Sequence, residues 1–267
     1  MKLERMTGLM SFVENLFNKH SNNERSKGMK RVWAIILIFP AIFFFGVLPA
    51  TAADATAGAD VVSAYVWRGI TFNDGLVVQP YVDVAAGNGF AINVWGNYDI
   101  NDFDNTLDEN EFSEVDLTLS YALPIEPVDI TIGHIEYLFP TGGSGTSEVF
   151  LSAYINPAGG LSAGIDAYYD YDEVEDYYLS ASIAYDAELD SGLGLGAAAS
   201  AGYGREDFTI GPDDGFHEYT LSMSASYPVT ETIGLSAFVA YTDTFDEDVL
   251  PEQDVDVFGG GGFSWSF

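Results

Sequence analysis

Two histidines lie beyond residue 53, His134 and His217, and each has carboxylates close in sequence. Asp213, Asp214 and His217 form a group that could activate a water for hydrolysis, because an imidazole among acids takes and returns a proton near neutral pH. His134 has Glu136 near it but no serine spaced to complete a nucleophilic dyad. The stretch "DFDNTLDENE" offers Asp102, Asp104, Thr106 and Asp108 at alternating positions, oxygen donors of the kind hard divalent cations take. Leu107 and Ser113 stand where a calcium loop needs its glycine and its terminal glutamate. With 41 acidic residues in the chain, acids beside a histidine are what chance supplies. Weak loop binding of calcium or magnesium is therefore the most these patterns support. No catalytic residue, metal set or cofactor is assigned, and the chain is not read as an enzyme.

The elements that would carry these residues are legible once the N-terminus is set apart. Residues Val32 to Leu48 form an apolar run preceded by Met29-Lys30-Arg31 and followed by Ala50-Thr51-Ala52. A basic start, an apolar centre and an A-x-A site describe a secretory signal peptide over 29–52, cut after Ala52. A single membrane anchor is the alternative that the length of the run allows. Residues 1–28 read as an upstream extension, either preceding the true start at Met29 or forming a long leader. The mature part is then 53–267. Seven of the nine basic residues and three of the 41 acidic ones precede Ala53, leaving two arginines, no lysine, 38 acids and a net charge of −36. Such a surface excludes nucleic acid as a partner and attracts cations. Without cysteine, an exported chain has no disulfide framework, so burial or sheet closure must supply stability.

Beyond residue 53 the apolar pattern has period two throughout. In "EYTLSMSASY", Tyr219, Leu221, Met223, Ala225 and Tyr227 alternate with polar residues, and the pattern recurs along the chain. It predicts about twelve strands, beginning near 59–67 and 77–86 and ending with 255–267, most of a length that crosses a bilayer when tilted. Short links such as 87–89 and 157–160 alternate with longer acidic ones. The predicted fold is thus all-β, a transmembrane antiparallel up-and-down barrel with both termini periplasmic and the acidic loops outside.

Aromatic residues fall at strand ends: Trp67, Tyr98, Tyr137, Tyr169, Tyr203 and Tyr241 at one rim, Tyr121, Tyr185, Tyr227 and Phe267 at the other. Two such girdles suit the two interfaces of a membrane. In "VDITIGHIEY" the apolar register slips near Gly133-His134, which predicts a β-bulge; Pro80 cannot donate to a ladder and weakens the second strand. The opposite strand faces predict a lumen lined by Arg68, Asp83, Asn93, Trp95, Glu114, Asp116, Asp129, Glu148, Asp166 and Glu218. So many carboxylates need water or cations around them.

The last strand, "GGGGFSWSF" with terminal Phe267, resembles the C-terminal signal by which bacterial outer-membrane barrels are recognised by their assembly machinery. Ser63, Tyr65, Arg68, Gly69, Gln79, Pro80, Trp95 and Gly96, within "DVVSAYVWRGIT", "VVQPYVDV" and "AINVWGNYD", carry a resemblance to the TorF-family porins. It implies a pore-like barrel in the outer membrane of a Gram-negative cell, with lipid and lipopolysaccharide as surroundings; the oligomeric state stays open. The acidic lumen predicts a narrow, cation-favouring diffusion channel for small solutes or ions. A non-conducting structural or surface-binding barrel is the alternative, and an outer-membrane hydrolase is the third class.

Overall fold

The computed structural model describes residues 53–105, 107–205 and 207–267. The extension 1–28, the signal peptide read over 29–52 and Thr106 lie outside the described residues. Fourteen strands follow one another: β1 (Ala53–Val62), β2 (Tyr65–Trp67), β3 (Ile70–Asn73), β4 (Val77–Ala86), β5 (Phe90–Asp99), β6 (Phe112–Leu123), β7 (Asp129–Leu138), β8 (Thr146–Ala158), β9 (Leu161–Asp170), β10 (Tyr177–Glu188), β11 (Gly194–Gly204), β12 (Gly215–Pro228), β13 (Ile233–Thr244) and β14 (Val257–Ser266). Twelve of them close an antiparallel barrel, and β2 with β3 makes a separate two-stranded sheet.

Closure runs through β1, which pairs β4 on one edge and β14 on the other, from Thr56↔Ser266 to Val62↔Gly260. Period-two alternation then sorts every strand into an outer and an inner face. Ile165, Ile183, Leu221 and Leu235 point outward, and the first two are 59% and 51% exposed. An apolar belt of this extent suits a bilayer rather than water. Inward lie Thr118, Ser152, Ser182, Ser200 and Ser222, the register partners of one another's neighbours.

Outward rings gather at the two ends. Phe90 packs on Tyr121 at 4.6 Å and Trp265 on Phe267 at 4.8 Å near the short turns. Tyr98 packs on Phe112 at 5.1 Å and Tyr203 on Phe216 at 6.0 Å near the long loops. Tyr169, Tyr185, Tyr227 and Tyr241 share this outer face by register.

Three expectations are corrected. The first strand ends at Val62 rather than Trp67, because the chain turns inward and forms the β2–β3 hairpin. Trp67 therefore belongs to the interior and not to a girdle. β7 has no bulge: Leu119↔His134, Asp116↔Tyr137 and Ile132↔Leu151 keep one register. His134 consequently faces outward, 2.7 Å from the Tyr171 hydroxyl, and Tyr137 faces inward. An aromatic ring sits on the inner face at Tyr137 because the hairpin is packed there: Trp67 meets the Tyr137 ring at 6.1 Å. Pro80 does sit in a barrel strand; the β4–β5 pairing is interrupted at Gln79 and Pro80 and resumes in the same register at Tyr81↔Trp95.

The two faces make opposite predictions for one substitution. Ile183→Arg, on the mid-strand outer face, is expected to lower unfolding free energy in lipid by about 2–4 kcal/mol, while the lumenal Ser182→Arg stays near neutral. Urea titrations of the two variants in vesicles, read by loss of heat-modifiable migration, check this.

Candidate functional site

The inward hairpin carries Tyr65, Arg68 and Asn73 to buried carboxylates at the loop end of the lumen. Its turn is Arg68-Gly69, with φ of 49° and 77° between the paired Trp67 and Ile70. Two consecutive positive φ values are what a two-residue type I′ hairpin turn requires, and glycine is the residue that takes them without strain. A Cβ on Gly69 would stand 2.6 Å from the Glu218 Cβ, so the turn also needs glycine for closeness. Arg68 pays for its left-handed backbone with about 1–2 kcal/mol, and its side chain supplies the compensation.

That side chain is the centre of the site. Arg68 donates through both terminal nitrogens to the two Glu148 oxygens, each at 2.8 Å. Its guanidinium carbon also lies 4.2 Å from the Trp67 ring centre, 4.3 Å from Tyr168, 4.5 Å from Tyr178 and 5.2 Å from Phe208. A planar, weakly hydrated cation is suited to both kinds of contact. Burial alone would lower its pKa, but the Glu148 carboxylate more than offsets this and holds it above the ordinary arginine value. The cation is permanent.

Further contacts dock the hairpin on the wall. The Tyr65 hydroxyl donates to Glu114 Oε2 at 2.8 Å. Burial, and then Glu114 and Asp116, raise the Tyr65 pKa well above its usual value, so the hydroxyl keeps its proton. Asn73 Nδ2 donates to Asp99 Oδ1 at 2.5 Å, which Asn97 also contacts at 2.9 Å. Tyr137 donates to Glu148 at 2.9 Å and Tyr178 to Glu218. A β-bulge between Ala201 and Tyr203 against β12 turns His217 inward, with Nδ1 2.8 Å from Glu218 Oε2. Ile70, Asn73, Val77, Asp99, Glu148 and Leu250 all have 2% exposure or less. In an open pore these positions would be wet, so the hairpin closes the lumen at this level.

The sequence-predicted lining divides accordingly. Arg68, Glu114, Glu148 and Glu218 are inward but buried in the plug, so they do not line open water. Asp83 and Asn93 lie nearer the short turns, joined at 2.8 Å, and Asp129 accepts from Asn156 at 2.7 Å. Asp166 accepts from Ser152 and Tyr154 at 2.5 and 2.7 Å. Trp95 and Asp116 flank a cavity beneath the hairpin.

The hydrolytic group does not assemble. His217 is 1% exposed against Glu218, whereas Asp213 is exposed and Asp214 accepts from Tyr203 at 3.2 Å. Asp102 binds backbone amides of its own loop at Asp104 and Leu107. Among the described residues no three metal-type side chains converge. What the sequence reading missed was the hairpin, whose signal is Trp67-Arg68-Gly69-Ile70, an X-Gly turn between apolar runs.

Residues 48–258 match the model of a family described as "Bacterial protein of unknown function (Gcw_chp)". No curated protein matches the sequence. Among solved structures, the KdgM porin in complex with disordered oligogalacturonate is similar at 12% identity, over 80% of this chain and 99% of that one, with a TM-score of 0.52. A KdgM porin structure gives 13% identity, 79% and 99% coverage and a TM-score of 0.52. An outer membrane channel from Pseudomonas putida F1 gives 13% identity, 83% and 97% coverage and a TM-score of 0.49. The two KdgM likenesses establish the porin-type fold.

Removing one member of a buried ion pair costs about 3–5 kcal/mol. Arg68→Met is therefore expected to release the hairpin, seen as lost hydrogen-exchange protection over 65–73 with the barrel's heat-modifiable migration unchanged. Retained protection would mean that the aromatic packing alone holds it.

Proposed function

We propose a function from one premise: the chain belongs to the Gcw_chp family, described as a bacterial protein of unknown function. On this reading it is a non-enzymatic outer-membrane channel for small solutes or ions, its chain ends and short turns in the periplasm and its long acidic loops outside. The observation that carries the reading is the closed twelve-strand barrel with an apolar outer face around a lumen of glycines and of serine, threonine and carboxylate side chains. The fold likeness to KdgM porin supports it, and the finer likeness to the TorF-family porins rests on the N-terminal motifs alone.

Cation preference is supported by sign. The described chain holds two arginines, and Arg68 is already neutralised by Glu148. The oligogalacturonate bound in the KdgM complex is a polyanion, which a lumen of this charge disfavours. One observation favours the second reading, a non-conducting surface-binding barrel: the docked hairpin fills the loop end of the lumen. The two readings are joined by the same residues. With the hairpin displaced, Glu114, Asp116, Glu148 and Glu218 would ring the mouth and select cations.

Planar bilayers with a potassium chloride gradient test this. The intact mature chain is expected to give small or infrequent current steps reversing on the cation side. Because Val62 and Val77 are direct register partners, a short Gly-Ser turn can replace residues between them, and that variant is expected to conduct several times more. A silent, correctly folded hairpin-less barrel would remove the channel reading and leave the surface-binding one; anion-side reversal would remove the cation preference.

A further inference from the structure

Beneath the hairpin lies a cavity of about 250 Å³. Its walls include Tyr65 and Trp67 from the hairpin, Trp95 and Asp116 from the neighbouring strands β5 and β6, and Phe238 and Phe258 from β13 and β14. Phe258 is the large residue that interrupts the small-residue inner face of the last strand, and it packs on Phe238 at 6.1 Å. Tyr65 and Trp95 meet at 5.5 Å. Five aromatic rings around one carboxylate are an unusual lining for a solvated lumen.

Asp116 supplies the second, independent observation. Its Oδ1 is buried and receives no N–H or hydroxyl donor, and the side-chain group that it is hydrogen-bonded with is the Glu114 carboxyl. A buried carboxylate oxygen beside a second carboxyl is costly, so a proton shared with Glu114, a solvent group or a ligand cation must complete it. Two kinds of cation could do so, and the walls decide between them. A calcium or magnesium ion wants six or more oxygen ligands, whereas only Asp116 and Gln79 offer side-chain oxygen to this cavity apart from the Tyr65 hydroxyl, already committed to Glu114. An organic ammonium wants ring faces and one counter-charge. The adjoining Arg68, stacked among Trp67, Tyr168 and Tyr178, is an intramolecular case of rings here accepting a cation.

We propose that this cavity is a binding site for a small organic cation, a primary or quaternary ammonium, held by Asp116 and the rings of Tyr65, Trp67, Trp95, Phe238 and Phe258. At 250 Å³ it lies below the size range of drug-sized pockets, which fits a compact ammonium rather than a polyamine or an oligosaccharide. Because two of the rings belong to the hairpin, the bound cation bridges plug and wall. Binding does not require conduction. A silent bilayer leaves this inference standing, and an absence of binding leaves the channel reading standing.

The test is a titration of the refolded mature chain in octyl glucoside, followed by tryptophan fluorescence and by calorimetry. Choline chloride is the probe and 3,3-dimethyl-1-butanol, its uncharged isostere, the control. Saturable choline binding is expected, with at least about tenfold weaker response to the alcohol and at least about tenfold loss in Asp116→Asn and in Trp95→Leu. Heat-modifiable migration verifies that both variants are folded. Equal response to the alcohol would make the cavity a mere apolar pocket and overturn the proposal. So would an Asp116→Asn variant that binds choline unchanged, or choline displaced by magnesium chloride but not by sodium chloride of equal ionic strength. No saturable signal in the folded wild type also overturns it, since water or a proton shared with Glu114 then completes Asp116.

Discussion

Every other feature of this molecule depends on the pairing of β1 with β14. A sheet inside a bilayer cannot leave N–H and C=O groups unpaired along an edge, because hydrocarbon offers them nothing. Pairing Thr56–Val62 with Gly260–Ser266 removes both edges at once. The glycines of β14 are part of the solution: a Cβ on Gly262 would stand 1.8 Å from an Asp60 oxygen. Closure then fixes which residue of each pair faces lipid, and a slip of one residue anywhere would exchange serine for leucine on both faces.

Closure at twelve strands also creates a problem that an eight-stranded barrel does not have, since its own side chains cannot fill so wide an interior. Here the interior is divided. Toward the short turns the inner face is small and polar, with Ser182, Ser200, Ser222 and Ser236, and water can occupy it. Toward the loops a piece of the chain itself is folded back as β2 and β3, and the wall answers with Glu114, Asp99 and Glu148 where the hairpin presents Tyr65, Asn73 and Arg68. Glu114, Asp99 and Glu148 are tolerated there because each has a donor.

How much of this could be read from residues follows the same division. Outer-face alternation is a one-dimensional signal, so Leu221, Met223 and Tyr227 declare their strand and its facing directly. The inner face near the loops obeys no such rule. Ile135 and Tyr137 face inward, Tyr137 against Trp67 of a hairpin 70 residues earlier, and a period-two reading converts that into a bulge that does not exist. Trp67 has the type and spacing of a girdle residue and is instead a wall of the Arg68 cage. Turn chemistry at Arg68-Gly69 was present in the sequence, but it was hidden inside an otherwise continuous alternation. The partner of Arg68 is 80 residues distant, and only the tertiary structure supplies it.

The charge balance explains why an arginine occupies the turn. In a chain with 38 acids after Ala53, any cation buried in the lumen has carboxylates within reach, and a lysine there would have charge enough to pair Glu148. It would lack the planar fork that binds both Glu148 oxygens and the flat faces that lie against Trp67, Tyr168 and Tyr178. Its ammonium would also lose more hydration on burial. Arg68 makes the pairing directional, so the hairpin has one docked position rather than a range of electrostatically equivalent ones. The same argument makes the docked state sensitive to a single residue. Without that guanidinium, Glu148, Glu114 and Asp116 face one another across a closed space with no counter-charge of the protein's own, and their mutual repulsion pushes toward an arrangement in which water or an external cation reaches them. The plug and the acidity of the lumen are therefore two aspects of one balance, set where Trp67-Arg68-Gly69 turns back into the barrel.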